Sequence, residues 1–125
     1  MAETVNWMYS IRAQNGPSMG LNGQMTADGY EKISLTLAAA ATKDVTIGPG
    51  SWADVHSLIV SASNLAGKVT VKPAGGSTVA LDGPLVLIGP GPVGLLGTGT
   101  ATLGFENTHT DEVSVDIFVT RDATP

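Results

Sequence analysis

The chain has 125 residues and a mass of 12.7 kDa, the size of one domain that can bury a core without covalent staples. It contains no cysteine, which excludes disulfides and thiolate metal sites. Its net charge is −5 and its six basic residues are scattered, so nucleic-acid binding is not expected. No apolar run approaches the ~18 residues of a membrane span, and no membrane partner is expected.

The second compositional feature is a shortage of charge. Charged residues make up 14% of the chain and hydrophobic residues 42%, whereas soluble domains carry about 25% charged residues. A surface with so little charge indicates that part of it is covered, either by copies of the chain or by a partner.

Apolar and polar residues alternate over most of the chain. The first such segment places Val5, Trp7, Tyr9 and Ile11 on one face and residues 6, 8, 10 and 12 on the other. Further apolar or alternating segments occupy 33–37, 45–47, 56–62, 68–72, 79–81, 84–89 and 113–120. Runs of this length and period predict half-buried strands.

Turn sequences separate these segments, at "QNGPS" (14–18), "ADG" (27–29), "GPGS" (48–51), "PAGGS" (73–77), "LDGP" (81–84) and "ENTHTDE" (106–112). The rhythm predicts an all-β fold, a single antiparallel β-sandwich domain over residues 1–125. A jelly roll is the preferred topology, with an immunoglobulin-like one left open. The alanine-rich "LTLAAAATKD" (35–44) allows at most a short helical turn.

Gly89, Gly91 and Gly94 have the spacing of a dinucleotide-binding fingerprint, G-x-G-x-x-G. That motif works by presenting backbone N–H groups and a helix N-terminus to a pyrophosphate. Here Pro90 and Pro92 remove two donors, and the residues after Gly94 favour turn and strand. We interpret the segment as a glycine-rich reversal and expect no cofactor.

Catalytic chemistry is not indicated. His56 follows Asp54 at a spacing that suits two metal ligands, but the sequence offers no further histidine nearby, and His109 lies in a polar turn. No nucleophile motif is present. A pair of converging carboxylates stays open, although no pair stands out. We therefore predict no catalytic, cofactor-binding or metal-binding residues.

Four residues are candidates for contacts with a partner or between copies: Trp7, Leu95, Leu96 and Phe118. Leu95 and Leu96 adjoin glycines in a loop, where burial in the core is the competing interpretation. Phe118 lies on the polar side of its strand, beside Asp116 and Thr120, which indicates a covered outer face.

Several features together resemble the β-sandwich decoration (cement) proteins of tailed-phage capsids. They are the low charge, the Gly/Thr/Ser/Val-rich β pattern, the loop "LDGPLVLIGPGPVGLL" and the closing "LGFENTHTDEVSVDIFVTRDATP". The resemblance implies a non-catalytic virion protein, made in the host cytoplasm and located on the capsid surface. It further implies a homotrimer that binds the major capsid protein and stabilises the shell.

Three alternatives stay open. One is a carbohydrate-binding or adhesin module in which Trp7, Tyr9 or Trp52 stacks on a sugar. Another is an enzyme of cupin-like shape, which requires a bound metal. A third is a phage tail or baseplate component, which the sequence does not separate from a capsid protein.

Overall fold

A computed structural model describes residues 3–64, 66–97 and 99–122. Ten strands account for most of them: β1 (Glu3–Arg12), β2 (Ser18–Ala27), β3 (Gly29–Leu37), β4 (Thr42–Ser51), β5 (Val55–Ala62), β6 (Val69–Pro73), β7 (Val79–Ala80), β8 (Leu85–Ile88), β9 (Thr100–Asn107) and β10 (Val113–Arg121). The predicted all-β sandwich is confirmed.

Eight of these strands form two antiparallel four-stranded sheets. We call the sheet with strand order β3-β10-β5-β8 the front sheet and the sheet with order β4-β9-β6-β7 the back sheet. The remaining two strands, β1 and β2, pair only with each other among the described residues and form a separate hairpin.

The core lies between the two sheets. Alternate residues of each strand point inward, so that Val113, Val115, Ile117 and Val119 of β10 are all buried. Phe105 of β9 opposes them from the back sheet within the same cluster. Alternation with period two is sufficient to build this layer, because successive side chains of a strand point to opposite faces.

A buried asparagine connects the loops at one end of the sandwich. The Asn107 side-chain nitrogen donates to the backbone oxygens of Leu37, Ala38 and Asp111, and its side-chain oxygen accepts from the His109 backbone nitrogen. These bonds attach the β9–β10 loop to the end of β3, so Asn107 is satisfied although it is fully buried.

The structure differs from the sequence prediction in three places. Strand β2 was not predicted, because its glycines and asparagine weaken the strand signal. The alanine-rich segment forms a turn, in which Ala40 has φ of 60°. A short helix lies instead at Pro90–Val93 (α1) and continues as a 3-10 turn over Gly94–Leu96. Residues 48–51, predicted as a turn, lie in β4, whose register with β9 shifts between Thr46 and Ser51.

No helix among the described residues is long and apolar enough to span a membrane.

Candidate functional site

The β1–β2 hairpin has one apolar and one largely polar face. Its register pairs Val5 with Met25, Trp7 with Gly23, Tyr9 with Leu21 and Ile11 with Met19. Directly paired residues share a face, so these eight lie together. The opposite face carries Asn6 with Gln24, Met8 with Asn22 and Arg12 with Ser18. We call the first set the apolar face of the hairpin.

Exposure along the apolar face increases from the base of the hairpin to its tip. Ala27 at the base is buried, and Val5, Trp7 and Met25 are half-buried. Beyond them the exposed fractions rise through Tyr9 (39%), Leu21 (48%), Met19 (57%) and Ile11 (68%). The first part of the face is therefore covered by the rest of the chain, whereas the tip, residues 8–12 and 18–22, is open.

The base of the hairpin covers the outer face of the front sheet. Thr120 and Ser57 point away from the sandwich core, yet both are buried. Their hydroxyl oxygens lie 2.7 Å apart, and the Thr120 hydroxyl donates to the Met25 sulfur at 3.3 Å. Two outward hydroxyls can be buried here because they bond to each other and to the hairpin.

A groove of about 370 Å³ separates the hairpin from this sheet face. Trp7 and Tyr9 contribute to the hairpin side, and Ile59, Val86 and Phe118 contribute to the sheet side. Phe118, Ile59 and Val86 are register partners across three adjacent strands, so they form one apolar row. Phe118 therefore lies on the floor of this groove and faces the hairpin of its own chain.

Two aromatic rings on the hairpin lie nearly parallel. The Trp7 and Tyr9 ring centroids are 6.3 Å apart with an interplanar angle of 12°. Trp7 also lies over its partner Gly23, where an added Cβ would come within 2.6 Å of the indole. A shallow hollow beside Trp7 is lined by three amide side chains, Asn6, Asn22 and Gln24.

The outer face of the back sheet has the opposite character. Its outward positions on β4 and β9 include Thr42, Asp44 and Glu106, and Lys72 lies on the neighbouring β6. Such a face is suited to solvent. The two outer faces of the sandwich therefore differ: in the part of the chain that the structure describes, the apolar row lies on the front one.

The glycine-rich loop is structural. Gly89 has φ of 102°, donates its N–H to the His56 carbonyl and precedes the single turn of α1. Leu96 at the end of this segment is 4% exposed and belongs to the core, whereas its neighbour Leu95 is 83% exposed. Of the two leucines, only Leu95 is accessible to a partner. A four-residue helix that begins with proline offers no phosphate site.

The histidines lie in different parts of the chain. His56 is on β5, with Nε2 2.8 Å from an Asp122 carboxylate oxygen. His109 Nδ1 accepts the Asp111 backbone N–H within its own loop. Among the described residues, no three His, Asp or Glu side chains converge as a metal site. Asp54 lies two positions before His56 in sequence, and its backbone oxygen accepts the Asp122 N–H.

Two of the four predicted contact residues come together in the structure. Trp7 and Phe118 line the same groove from its two sides, although 111 positions separate them in sequence. Sequence reasoning did not find Leu21, Met19 and Met25, which complete the apolar face. The alternation of residues 19, 21 and 25 with polar neighbours was the available signal, and Gly20 and Gly23 obscured it.

Comparison with known proteins gives no match: no family model, no curated protein and no solved structure is similar to this chain at a significant level.

Proposed function

We propose that this chain is a structural subunit of a virus particle, a capsid decoration protein that assembles with copies of itself, as a homotrimer, and stabilises the shell by binding the major capsid protein. The observation that carries the proposal is the exposed apolar tip of the hairpin, where Ile11, Met19 and Leu21 lie together on one face. Contiguous exposed apolar surface on a soluble protein is characteristic of a contact with another protein.

The strand order adds support at the level of topology. Strands β3, β4, β5 and β6 alternate between the two sheets, and so do β7, β8, β9 and β10. We assign this eight-stranded arrangement to the jelly roll, a topology used by viral capsid and lectin domains. Fold alone does not determine function, so this argument ranks below the surface argument.

Leu95 is a second exposed apolar residue. It lies in the 3-10 turn that follows α1, not on the hairpin. A subunit that contacts both its own copies and a shell needs two separate surfaces. We propose the hairpin tip for contacts between copies and the Leu95 loop for the shell.

The experiment is addition of the purified chain to expanded capsids assembled without it, followed by sedimentation and by thermal disruption of the shell. We expect the chain to sediment with the capsids and to raise their disruption temperature. Leu95→Ala should weaken this binding, while Thr46→Ala on the polar back sheet serves as the matched control. A chain that stays in the supernatant would refute the proposal.

A carbohydrate-binding module is the second candidate, favoured by the parallel Trp7 and Tyr9 rings with amide side chains beside them. Flat aromatic surface flanked by hydrogen-bonding groups is suited to a sugar ring. Trp52 does not contribute, since it is 2% exposed. Trp7→Ala would abolish glycan binding if this candidate holds, and the wild-type chain would bind no glycan on an array if it does not.

A further inference from the structure

Among the described residues, the two sheets of the sandwich end in four edge strands, and three of these are protected against pairing with another chain. Strand β7 has two residues, β8 has four and lies between Pro84 and Pro90, and β4 contains Pro49 and shifts its register with β9. Short strands, prolines and bulges are the usual protection of a sheet edge. Strand β3 lacks all three, because its nine residues include no proline and pair with β10 in one unbroken register.

The register shows which backbone groups of β3 are left without a strand partner. The Ser63 N–H donates to the Ser114 carbonyl, so the backbone of Ser114 faces β5. Since the bonding direction alternates along an antiparallel strand, the odd-numbered residues of β10 bond to the odd-numbered residues of β3. The even-numbered residues of β3 therefore direct their N–H and C=O groups away from the sheet. They are Tyr30, Lys32, Ser34 and Thr36, and all four are exposed.

The core side of the same edge is incompletely covered. Ile33 and Leu35 pack against the core, yet both remain partly exposed. Their partners on the central strand β10, Ile117 and Val115, are 0% exposed. The difference arises because β3 has a neighbouring strand on one side only. A further strand beside β3 would cover Ile33 and Leu35.

We propose that β3 pairs with β3 of a second copy, antiparallel about a two-fold axis at Ile33, so that the two front sheets join into one continuous sheet. The contact is separate from the hairpin tip and does not rest on the proposed function.

The hydrogen-bonding pattern of β3 is complementary to itself, as a two-fold axis requires. With Ile33 opposite Ile33, all nine residues pair, and the outward-directed residues meet one another, Tyr30 opposite Thr36 and Lys32 opposite Ser34. Each of these pairs exchanges two hydrogen bonds, which gives about eight bonds across the seam. An axis at Lys32 would instead place two lysines directly opposite each other, and such a like-charge pair is destabilising.

Charges on the outer face of β3 and β10 favour the same register. Lys32 forms no ion pair within the part of the chain that the structure describes. Ser34, which would lie opposite it in the second copy, donates its hydroxyl to Asp116 on β10 at 2.7 Å. The α-carbons of Lys32 and that Asp116 would be two strand spacings apart, about 10 Å, a distance that an extended lysine and an aspartate side chain span together. Two-fold symmetry forms this ion pair twice.

The remaining charge on β3 lies on the core side of the strand. Glu31 would lie opposite Leu35 of the second copy, and its carboxylate is held 3.3 Å from the Arg121 guanidinium of its own chain. The proposed register therefore leaves Glu31 with its present partner and brings no two like charges together.

The absence of cysteine allows a direct test of the axis by disulfide formation. Directly opposed residues in a pair that exchanges no hydrogen bonds have α-carbons about 4.5 Å apart, within the range of a disulfide. On oxidation, Ile33→Cys should therefore give disulfide-linked dimers. Thr36→Cys is the matched control, because position 36 lies about 20 Å from its own counterpart in the second copy. Linkage of Thr36→Cys but not of Ile33→Cys would overturn the proposed pairing.

Proline variants test the hydrogen bonds at the edge. Ser34→Pro removes an N–H that points away from β10, so it spares the ladder within the chain but interrupts the seam. Asp44→Pro is the control at the β4 edge: the Asn107 N–H donates to the Ala41 carbonyl, and by the same alternation the Asp44 N–H points away from β9. Ser34→Pro should raise the dissociation constant between copies at least tenfold, whereas Asp44→Pro should leave it unchanged. Circular dichroism confirms that both variants are folded.

A charge exchange tests the same contact without a change in backbone. Lys32→Glu should weaken association, because it places a carboxylate near Asp116 of the second copy. Adding Asp116→Lys to that variant should restore the dissociation constant to within about twofold of the wild-type value. Failure of the double variant to recover would mean that these two side chains do not meet.

The mass of the wild-type chain separates this inference from the proposed function. Light scattering at micromolar concentration should give an even multiple of 12.7 kDa. Two chains support the β3 contact and refute the homotrimer, while six chains support both. Three chains support the homotrimer and overturn the β3 contact, and a single chain overturns both.

Discussion

At the scale of single residues, Leu95 and Leu96 show how adjacent positions of identical chemistry acquire opposite roles. Both follow Gly94 in the 3-10 turn after α1. One turn of helix directs Leu96 into the core, next to Val93, and directs Leu95 outward. Nothing in the dipeptide itself distinguishes the two, because the direction of each side chain depends on where α1 begins.

This difference predicts a matched pair of variants. Leu96→Ala removes buried methyl groups and should destabilise the fold by about 2–4 kcal/mol. Leu95→Ala removes exposed atoms and should change the free energy of unfolding by less than about 0.5 kcal/mol. Urea denaturation of the two variants measures both values. Equal losses would mean that the turn is oriented differently from the structure.

At the scale of elements, the hairpin depends on a cross-strand pair of unequal size. Trp7 faces Gly23, and the indole occupies the space that a side chain at position 23 would fill. An aromatic ring over a glycine supplies packing that the glycine lacks and helps to fix the register of the strands. Gly20 on the same strand has no such ring above it, and an added Cβ would make ordinary contacts there.

The expected consequence is that Gly23→Ala displaces the indole and Gly20→Ala does not. In Gly23→Ala, the Trp7 Nε1–H resonance should shift by several tenths of a ppm, while that of buried Trp52 stays in place. In Gly20→Ala, both indole resonances should keep their wild-type positions. An unshifted Trp7 resonance in Gly23→Ala would show that the ring does not pack on the glycine.

At the scale of the whole molecule, the two outer faces of the sandwich are unequal. The back sheet presents threonines and charged side chains, whereas the front sheet carries an apolar row beneath the β1–β2 hairpin. An isolated two-stranded ribbon is marginally stable in water, and among the described residues the tip has neither a third strand nor a covering layer. The sandwich and the tip therefore differ in stability within one chain.

Hydrogen exchange should report that difference. At concentrations where the chain is monomeric, amides of the hairpin tip (8–12 and 18–22) should exchange at least a hundredfold faster than those of β5 and β10 at the centre of the front sheet. At concentrations where copies associate, the tip amides should gain protection and the central strands should change little. Equal protection of tip and core in the monomer would contradict this.

The sequence by itself determined the all-β class and which side of most strands is apolar. Period-two alternation fixes these features locally, as residues 5–11 and 113–119 illustrate, and the anomalous Phe118 pointed to a covered outer face. Only the tertiary structure decided that Trp7 and Phe118 line one groove, that β2 exists as the partner of β1, and that Leu96 is buried while Leu95 is not. The reason is physical. Alternation depends on neighbours within a strand, whereas pairing, coverage and helix phase depend on contacts between segments far apart in the chain.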